Sequence, residues 1–229
     1  MLIDVRDVTH GFDGGTPVLR DLTIRLEEPR IGVIGANGSG KSTFARMLNG
    51  LVVPERGTVT LDGLDTARQG RQVRGRVGFC FTDPDAQIVM PTVAEDVGFS
   101  LRRRGLSKAE IADRVDSALA AHGLAGRGAH PAHLLSGGQK QLLALTAVLV
   151  TEPDLLVMDE PTTLLDIRNA RRVADAVRDL PQQVVLVTHH LDLLTDFDRV
   201  LVFDGGRLVH DGRPSDSIAH YLDLMDRDR

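Results

Sequence analysis

Between an apolar run, Arg30-Ile31-Gly32-Val33-Ile34, and a helically spaced stretch over 41–49 stand eight residues, Gly35-Ala36-Asn37-Gly38-Ser39-Gly40-Lys41-Ser42. Glycine at three of those positions lets the backbone turn tightly and approach another group closely, because no β-carbon intervenes. A strand, a glycine-rich turn and a helix in that order aim backbone N–H groups and a helix N-terminus at one spot, which suits an anion. The chain therefore contains at least one α/β unit and is not all-helical. The octapeptide has the form G-x-x-x-x-G-K-S of a phosphate-binding loop. In that role Lys41 reaches the β- and γ-phosphates of a nucleoside triphosphate and the Ser42 hydroxyl holds Mg²⁺, with Thr43 completing the nucleotide-binding set. The alternative is a glycine-rich turn without a ligand. Average residue frequencies would place this pattern by chance in about 1% of chains of this length.

A second feature lies far downstream. Leu155-Leu156-Val157-Met158-Asp159-Glu160 is an apolar strand that ends in two carboxylates. A buried strand has no structural use for adjacent acids at its tip, although many strands end in a single one. A nucleotide site uses both: Asp159 to hold Mg²⁺ through water, Glu160 to polarise the attacking water.

The rest of the chain supplies the framework. Strand-like alternation covers Ile3, Val5 and Val8, then Leu22, Ile24 and Leu26, across a turn-rich segment at 11–17. Further strands are expected at 58–61, 77–81, 155–158 and 184–187, and a hairpin at 200–203 and 207–209 across Asp204-Gly205-Gly206. Ser107-Lys108-Ala109-Glu110 is a capping box that opens a helix with Ile111, Val115, Ala118 and Leu119 on one face. Other helices are expected from about Ser136 to Leu149 and over 166–180, and the tail over 226–229 is expected to fray. Strands that alternate with helices imply an α/β core, into which the central block inserts helices.

Composition narrows the function. The 229 residues suffice for one sizeable core, and a net charge of −5 gives no electrostatic reason to expect nucleic acid. Arg102-Arg103-Arg104, the single basic run, reads as a solvated loop, or else as a partner or lipid contact. Cys80 is the only cysteine, which excludes an intramolecular disulfide, fits a reducing compartment and reads as a small buried hydrophobe. No stretch reaches the ~18–20 apolar residues that span a bilayer, and the N-terminus lacks a signal-peptide layout, so any membrane role is expected to come through a partner.

Leu135-Ser136-Gly137-Gly138-Gln139 stands before a helix, between the phosphate loop and the acidic strand. As a glycine-containing cap it needs no function. With its neighbours, however, the chain resembles the ATP-binding cassette (ABC) family, whose signature is this pentapeptide. That resemblance spans essentially the whole chain. It implies a RecA-like P-loop core, an antiparallel β part and an inserted helical subdomain, with ATP and Mg²⁺ bound. The expected layout is one domain over 1–229, with 1–82 and 151–229 forming core and β part and 83–150 the helical subdomain and linking loops. The resemblance makes Glu160, His189 and Lys41 catalytic and Phe12 the aromatic that stacks on adenine. It also implies that Ser136, Gly137, Gly138, Gln139 and Asp166 contact nucleotide on a second subunit. His190 replaces the Asp often found after the switch histidine. His130 and His133 lack enough neighbouring ligands for a metal site.

A narrower likeness lies in Phe81-Thr82-Asp83-Pro84-Asp85-Ala86-Gln87, followed by Glu95-Asp96-Val97. It is similar to the stretch Phe-Gln-Asn-Pro-Asp-x-Gln of energy-coupling factor (ECF) importers, with Thr82 in place of the first Gln. The implied partners are a transmembrane coupling protein, a substrate-binding membrane subunit and a second copy in an ATP-dependent homodimer. Thr82 and Gln87 would lie in the coupling loop, and the chain on the cytoplasmic face of the membrane. The short C-terminus looks most like the ATPase of biotin importers; cobalt, nickel or another vitamin is the alternative cargo. A soluble cassette acting on ribosomes or DNA is the rival class, whose members usually carry paired cassettes or a long coiled-coil insertion.

Overall fold

Alternation in the first thirty residues becomes two paired strands, β1 (Ile3–His10) and β2 (Leu19–Leu26). The apolar run forms β3 (Arg30–Gly35) and the helical pattern α1 (Lys41–Leu48), before β4 (Arg56–Leu61), β5 (Leu64–Asp65) and α2 (Gly70–Arg76). Next come β6 (Val77–Cys80), α3 (Val93–Phe99), α4 (Lys108–Ala121) and α5 (Gly137–Leu149). The order closes with β7 (Leu155–Asp159), α6 (Ile167–Arg178), β8 (Gln183–Val187), β9 (Arg199–Asp204), β10 (Arg207–Gly212) and α7 (Pro214–Arg227).

The computed structural model describes residues 1–12, 15–102, 104–178 and 180–227. Parts of four sequence expectations lie outside the described residues: 13 and 14 in the turn-rich segment, Arg103 in the basic run, Asp179 in the helix over 166–180, and Asp228 and Arg229 in the tail. The chain divides into two compact units, one of Met1–Val77, Asp154–Asp159 and Gln182–Arg229, the other of Gly78–Pro153 and Glu160–Pro181.

The first unit holds an antiparallel sheet in the order β2-β1-β4-β5 and a sheet that runs β10-β9-β3-β8-β7. Within the latter, β9, β3, β8 and β7 pair in parallel, and β10 pairs antiparallel on β9. Every residue of β7 and β8 is buried. Parallel strands are covered on both faces, so they read as continuous apolar runs rather than as alternation. The β9–β10 hairpin turns on Gly205 and Gly206, whose φ angles of +51° and +82° suit the two-residue turn that matches strand twist.

The second unit is built on a helical core of Val93 and Val97 from α3, Val115 and Leu119 from α4, and Leu143 and Ala147 from α5. Each of these helices starts with a reciprocal capping box, Thr92 with Glu95, Ser107 with Glu110, and Ser136 with Gln139. The Ser107 backbone N–H holds the Glu110 carboxyl below the usual carboxylate range.

Three helices go beyond the sequence expectations. α2 begins on glycine and buries only Val73, which leaves no periodic signal. α3 is short, but its capping box stands in the sequence. α7 carries Pro214 in its first turn and continues through Asp226 and Arg227, in place of the fraying that the sequence predicts for the tail. Among the described residues no helix is long and apolar enough to cross a membrane.

Candidate functional site

At the end of β3 the chain needs glycine for physical reasons. A β-carbon on Gly35, at φ +148°, would stand 2.0 Å from the Phe203 carbonyl oxygen. Gly40, at φ +100°, caps α1 in the left-handed region, and a β-carbon there would meet the Val18 carbonyl at 2.7 Å. The loop is therefore drawn tight between β9 and the start of β2, and α1 opens directly onto it. The first amides of a helix have no intrahelical acceptor, so those of α1 are available to an anion. Lys41 folds back over the loop, and its Nζ donates to the carbonyls of Gly35 at 2.9 Å and Ala36 at 2.8 Å. The Ser39 hydroxyl is buried with no hydrogen-bond partner among the described residues. These features fit a phosphate group: a cradle that β-carbons would fill, an ammonium at its lip and an orphaned hydroxyl inside it.

Ser42, on the first turn of α1, donates its hydroxyl to Oδ1 of Asp159 at 2.7 Å. Asp159 is buried at the C-terminal end of β7, and Arg46, one turn further along α1, reaches its Oδ2 at 3.4 Å. A hydroxyl and a carboxylate, both hard oxygen donors, thus converge beside the phosphate loop. That donor set fits Mg²⁺, which needs few protein ligands when phosphates supply the others. Register continues the site across the sheet, since Asp159 pairs with Val187, the last residue of β8. Thr188 follows, buried, its N–H on the Val33 carbonyl at 3.1 Å, and then the exposed His189, whose ring lies tilted by 36° against that of His190 with centroids 4.2 Å apart. The strands β3, β7 and β8 therefore bring Gly35, Asp159 and His189 to one edge of the parallel sheet, where ligands of open α/β sheets bind.

Phe12 is 55% exposed and lies edge-on to His10, ring centroids 4.9 Å apart, so it offers a free face for stacking. Glu160, directly after Asp159 in the chain, has φ +53°, a strained setting for a non-glycine residue. The Thr163 hydroxyl donates to its Oε2 at 3.0 Å and fixes that carboxylate.

In the second unit, Ser136 caps α5, with its N–H on the Gln139 side chain at 3.0 Å, and Gly137 and Gly138 form the first turn. Asp166 precedes α6 and accepts from the Asn169 N–H at 2.8 Å. Gln87 does not project from its loop: Oε1 accepts from the Phe81 N–H at 3.2 Å and Nε2 donates to the Ala144 carbonyl at 3.3 Å. It braces the segment that carries Thr82. The buried Asp96 holds the next turn, accepting from the N–H groups of Val89 at 2.8 Å and Met90 at 3.0 Å. Between this turn and Ala132–His133 lies a cavity of about 320 Å³. Arg46, Thr163 and Asn169, which hold Asp159, Glu160 and Asp166, are not among the residues that the sequence singles out. Arg46 had a signal, one helical turn after Ser42; the other two are ordinary polar residues at exposed turns and helix starts.

The ABC transporter family matches residues 19–163, more than half of the chain. The chain belongs to that family. It is 53% identical, over 98% of its own length and 99% of the other, to an ABC transporter ATP-binding protein of Deinococcus radiodurans whose name gives no cargo. It is 46% identical over 92% of its length to 94% of the biotin transport ATP-binding protein BioM of Rhizobium etli. Among solved structures, cbiO1 of Clostridium perfringens, described as part of the ABC transporter complex cbiONQ, matches with TM-score 0.85 and 30% identity over 99% of this chain and 94% of that one. The expected fold, a P-loop ABC ATPase, is the observed one, and the protein is an ATPase coupled to transport.

Proposed function

We propose that this ATPase powers an ECF-type importer whose cargo is biotin. The observation that carries the reading is the Phe81–Gln87 stretch, in which Gln87 braces the loop from both ends of its amide. The likeness to BioM supports the cargo. Cobalt, nickel or another vitamin is the alternative, because an ATPase subunit touches no cargo. The cavity beside Asp96 is the groove we assign to a transmembrane coupling protein, which would hold the chain peripherally on the cytoplasmic face of the membrane next to a substrate-binding membrane subunit.

In this reading the loop of Gly35 to Ser42, with Thr43, binds the phosphates of ATP, and Phe12 stacks on the adenine. Ser42 and Asp159 hold Mg²⁺, which when bound neutralises charge on the phosphate oxygens. Lys41 swings from the Gly35 and Ala36 carbonyls onto the β- and γ-phosphates. Glu160, steadied by Thr163, orients the attacking water and takes its proton, and His189 contacts the γ-phosphate. Electrostatic positioning rather than covalent chemistry supplies the rate. All the pieces of a site are present in one chain. Two copies, head to tail, would complete each site with Ser136 to Gln139 and Asp166 of the partner subunit.

The test is purification of the chain with its membrane partners, followed by identification of the bound small molecule. Biotin is the expected result. A metal ion or another vitamin would overturn the cargo, and association with ribosomes in place of membrane proteins would overturn the transport reading.

A further inference from the structure

Asn169, on the first turn of α6, holds Asp166 and occupies the space above Gly138. Its backbone N–H donates to Oδ1 of Asp166 at 2.8 Å and its Nδ2 to Oδ2 at 3.1 Å, so one residue grips both carboxylate oxygens. The same side chain lies so close to α5 that a β-carbon on Gly138 would stand 2.4 Å from its Cγ and 2.5 Å from its Oδ1. Gly138 is absent from the positive-φ glycines, so its backbone is open to any residue. What requires glycine there is the volume of Asn169. One residue earlier, a β-carbon on Gly137 would only touch Leu165, at 3.8 Å.

We infer that Asn169 is a positioning residue that joins the Asp166 turn to the Ser136–Gln139 loop, so that the two present themselves to a second copy of the chain as one rigid element. Its short amide is matched to the task. It donates to the carboxylate from one end and lies close against a glycine, whereas an aspartate of the same shape would place a second negative charge beside Asp166.

The functional part of this inference rests on the two-copy reading, so the experiment separates them. Hydrogen exchange of the Gln139 and Lys140 amides, which bond the Ser136 hydroxyl at 3.4 Å and the Ser136 carbonyl at 2.8 Å, should quicken in the isolated protein in Asn169→Asp, and less so in Asn169→Ala. In a Glu160→Gln background, sedimentation should show that Asn169→Asp raises the ATP concentration for half-dimerisation by about tenfold or more, a normal size for coupling between sites. Nucleotide affinity of the monomer should stay within about twofold, since Asn169 bonds Asp166 and lies against Gly138, both of which serve the nucleotide of the other copy in this reading. Pure packing predicts the reverse order, with the isosteric Asp milder than Ala. Unchanged exchange in Asn169→Asp overturns the inference whatever the dimer does. If Glu160→Gln protein never dimerises with ATP, or if Ser136→Arg leaves its dimer intact, the two-copy reading fails while the exchange result still decides the role of Asn169.

Discussion

Ser42 and Asp159, 117 residues apart in the chain, are joined by a 2.7 Å hydrogen bond from hydroxyl to carboxylate. The parallel sheet makes the pairing possible, because β3 and β7 both pair with β8 and end at the same edge. Together with Arg46 at 3.4 Å the bond keeps a buried carboxylate partnered, and it preassembles the two oxygens that a divalent ion would use.

Asp159→Asn tests that pairing directly. The amide oxygen can still accept from Ser42, so the fold should persist while the negative charge is lost. Mg²⁺ required for half-maximal ATP hydrolysis should rise by about 10–100-fold, the usual loss when a partner of a metal site is changed. Titration of activity against Mg²⁺, with circular dichroism as the check on folding, gives the answer. An unchanged Mg²⁺ requirement would remove Asp159 from the ion site.

Glu160→Gln should retain ATP binding and lose about 10²–10⁴-fold in turnover, because it removes a proton acceptor and keeps its shape. Thr163→Ala should cost less, since the hydroxyl holds the carboxylate in place without touching the reacting atoms. Steady-state ATPase rates of the complex with its membrane partners would decide the order. Retention of more than a third of the wild-type rate in Glu160→Gln would remove Glu160 from that role, and equal losses in the two variants would mean that the Thr163 bond is as necessary as the carboxylate it holds.

Much of this site is legible in sequence because it depends on local patterns. The glycines around Lys41 and the acids after Met158 announce themselves by spacing, and the capping boxes at Ser107 and Ser136 mark their helices within a residue. What cannot be read is what arises from tertiary approach. Nothing in the order of residues says that Asn169 fills the space over Gly138, or that the Gln87 amide spans from Phe81 to Ala144. The helix α7 falls between the two cases: Ile218, Tyr221, Leu222 and Met225 recur at helical spacing behind Pro214, a local signal for a helix.

Thr82 stands where the related stretch carries Gln. A threonine hydroxyl stops roughly two bonds short of where a glutamine carbonyl could reach, about 2.5 Å. Mg²⁺ keeps several waters, and one of them can bridge such a gap. Thr82→Ala should therefore change Mg-ATP affinity by less than about tenfold, and Thr82→Gln should support uptake by the assembled importer. Equilibrium nucleotide binding and substrate uptake give the two measurements. A loss far beyond tenfold in Thr82→Ala would make Thr82 itself a ligand.

Cys80 ends β6 immediately before that loop, fully buried, and burial alone pushes its thiol up to about 12. Only the thiolate attacks disulfide and alkylating reagents, so at pH 8 the folded protein should label on the order of 10³-fold more slowly than a free cysteine near pKa 8.5. The sign of the shift sets the pH dependence. A raised pKa leaves the thiol protonated through neutral pH, and the labelling rate should go on climbing above pH 9, where a free thiol levels off. Denaturant should abolish the difference. Cys80→Ala should be tolerated better than Cys80→Ser, because a buried hydroxyl without an acceptor costs about 1–3 kcal/mol. Labelling with a chromogenic disulfide across pH, in buffer and in denaturant, checks all of this with one reagent. Fast reaction of the native protein at pH 8 would show that the segment from β6 into the Thr82 loop opens far more often than its buried, Gln87-braced structure allows.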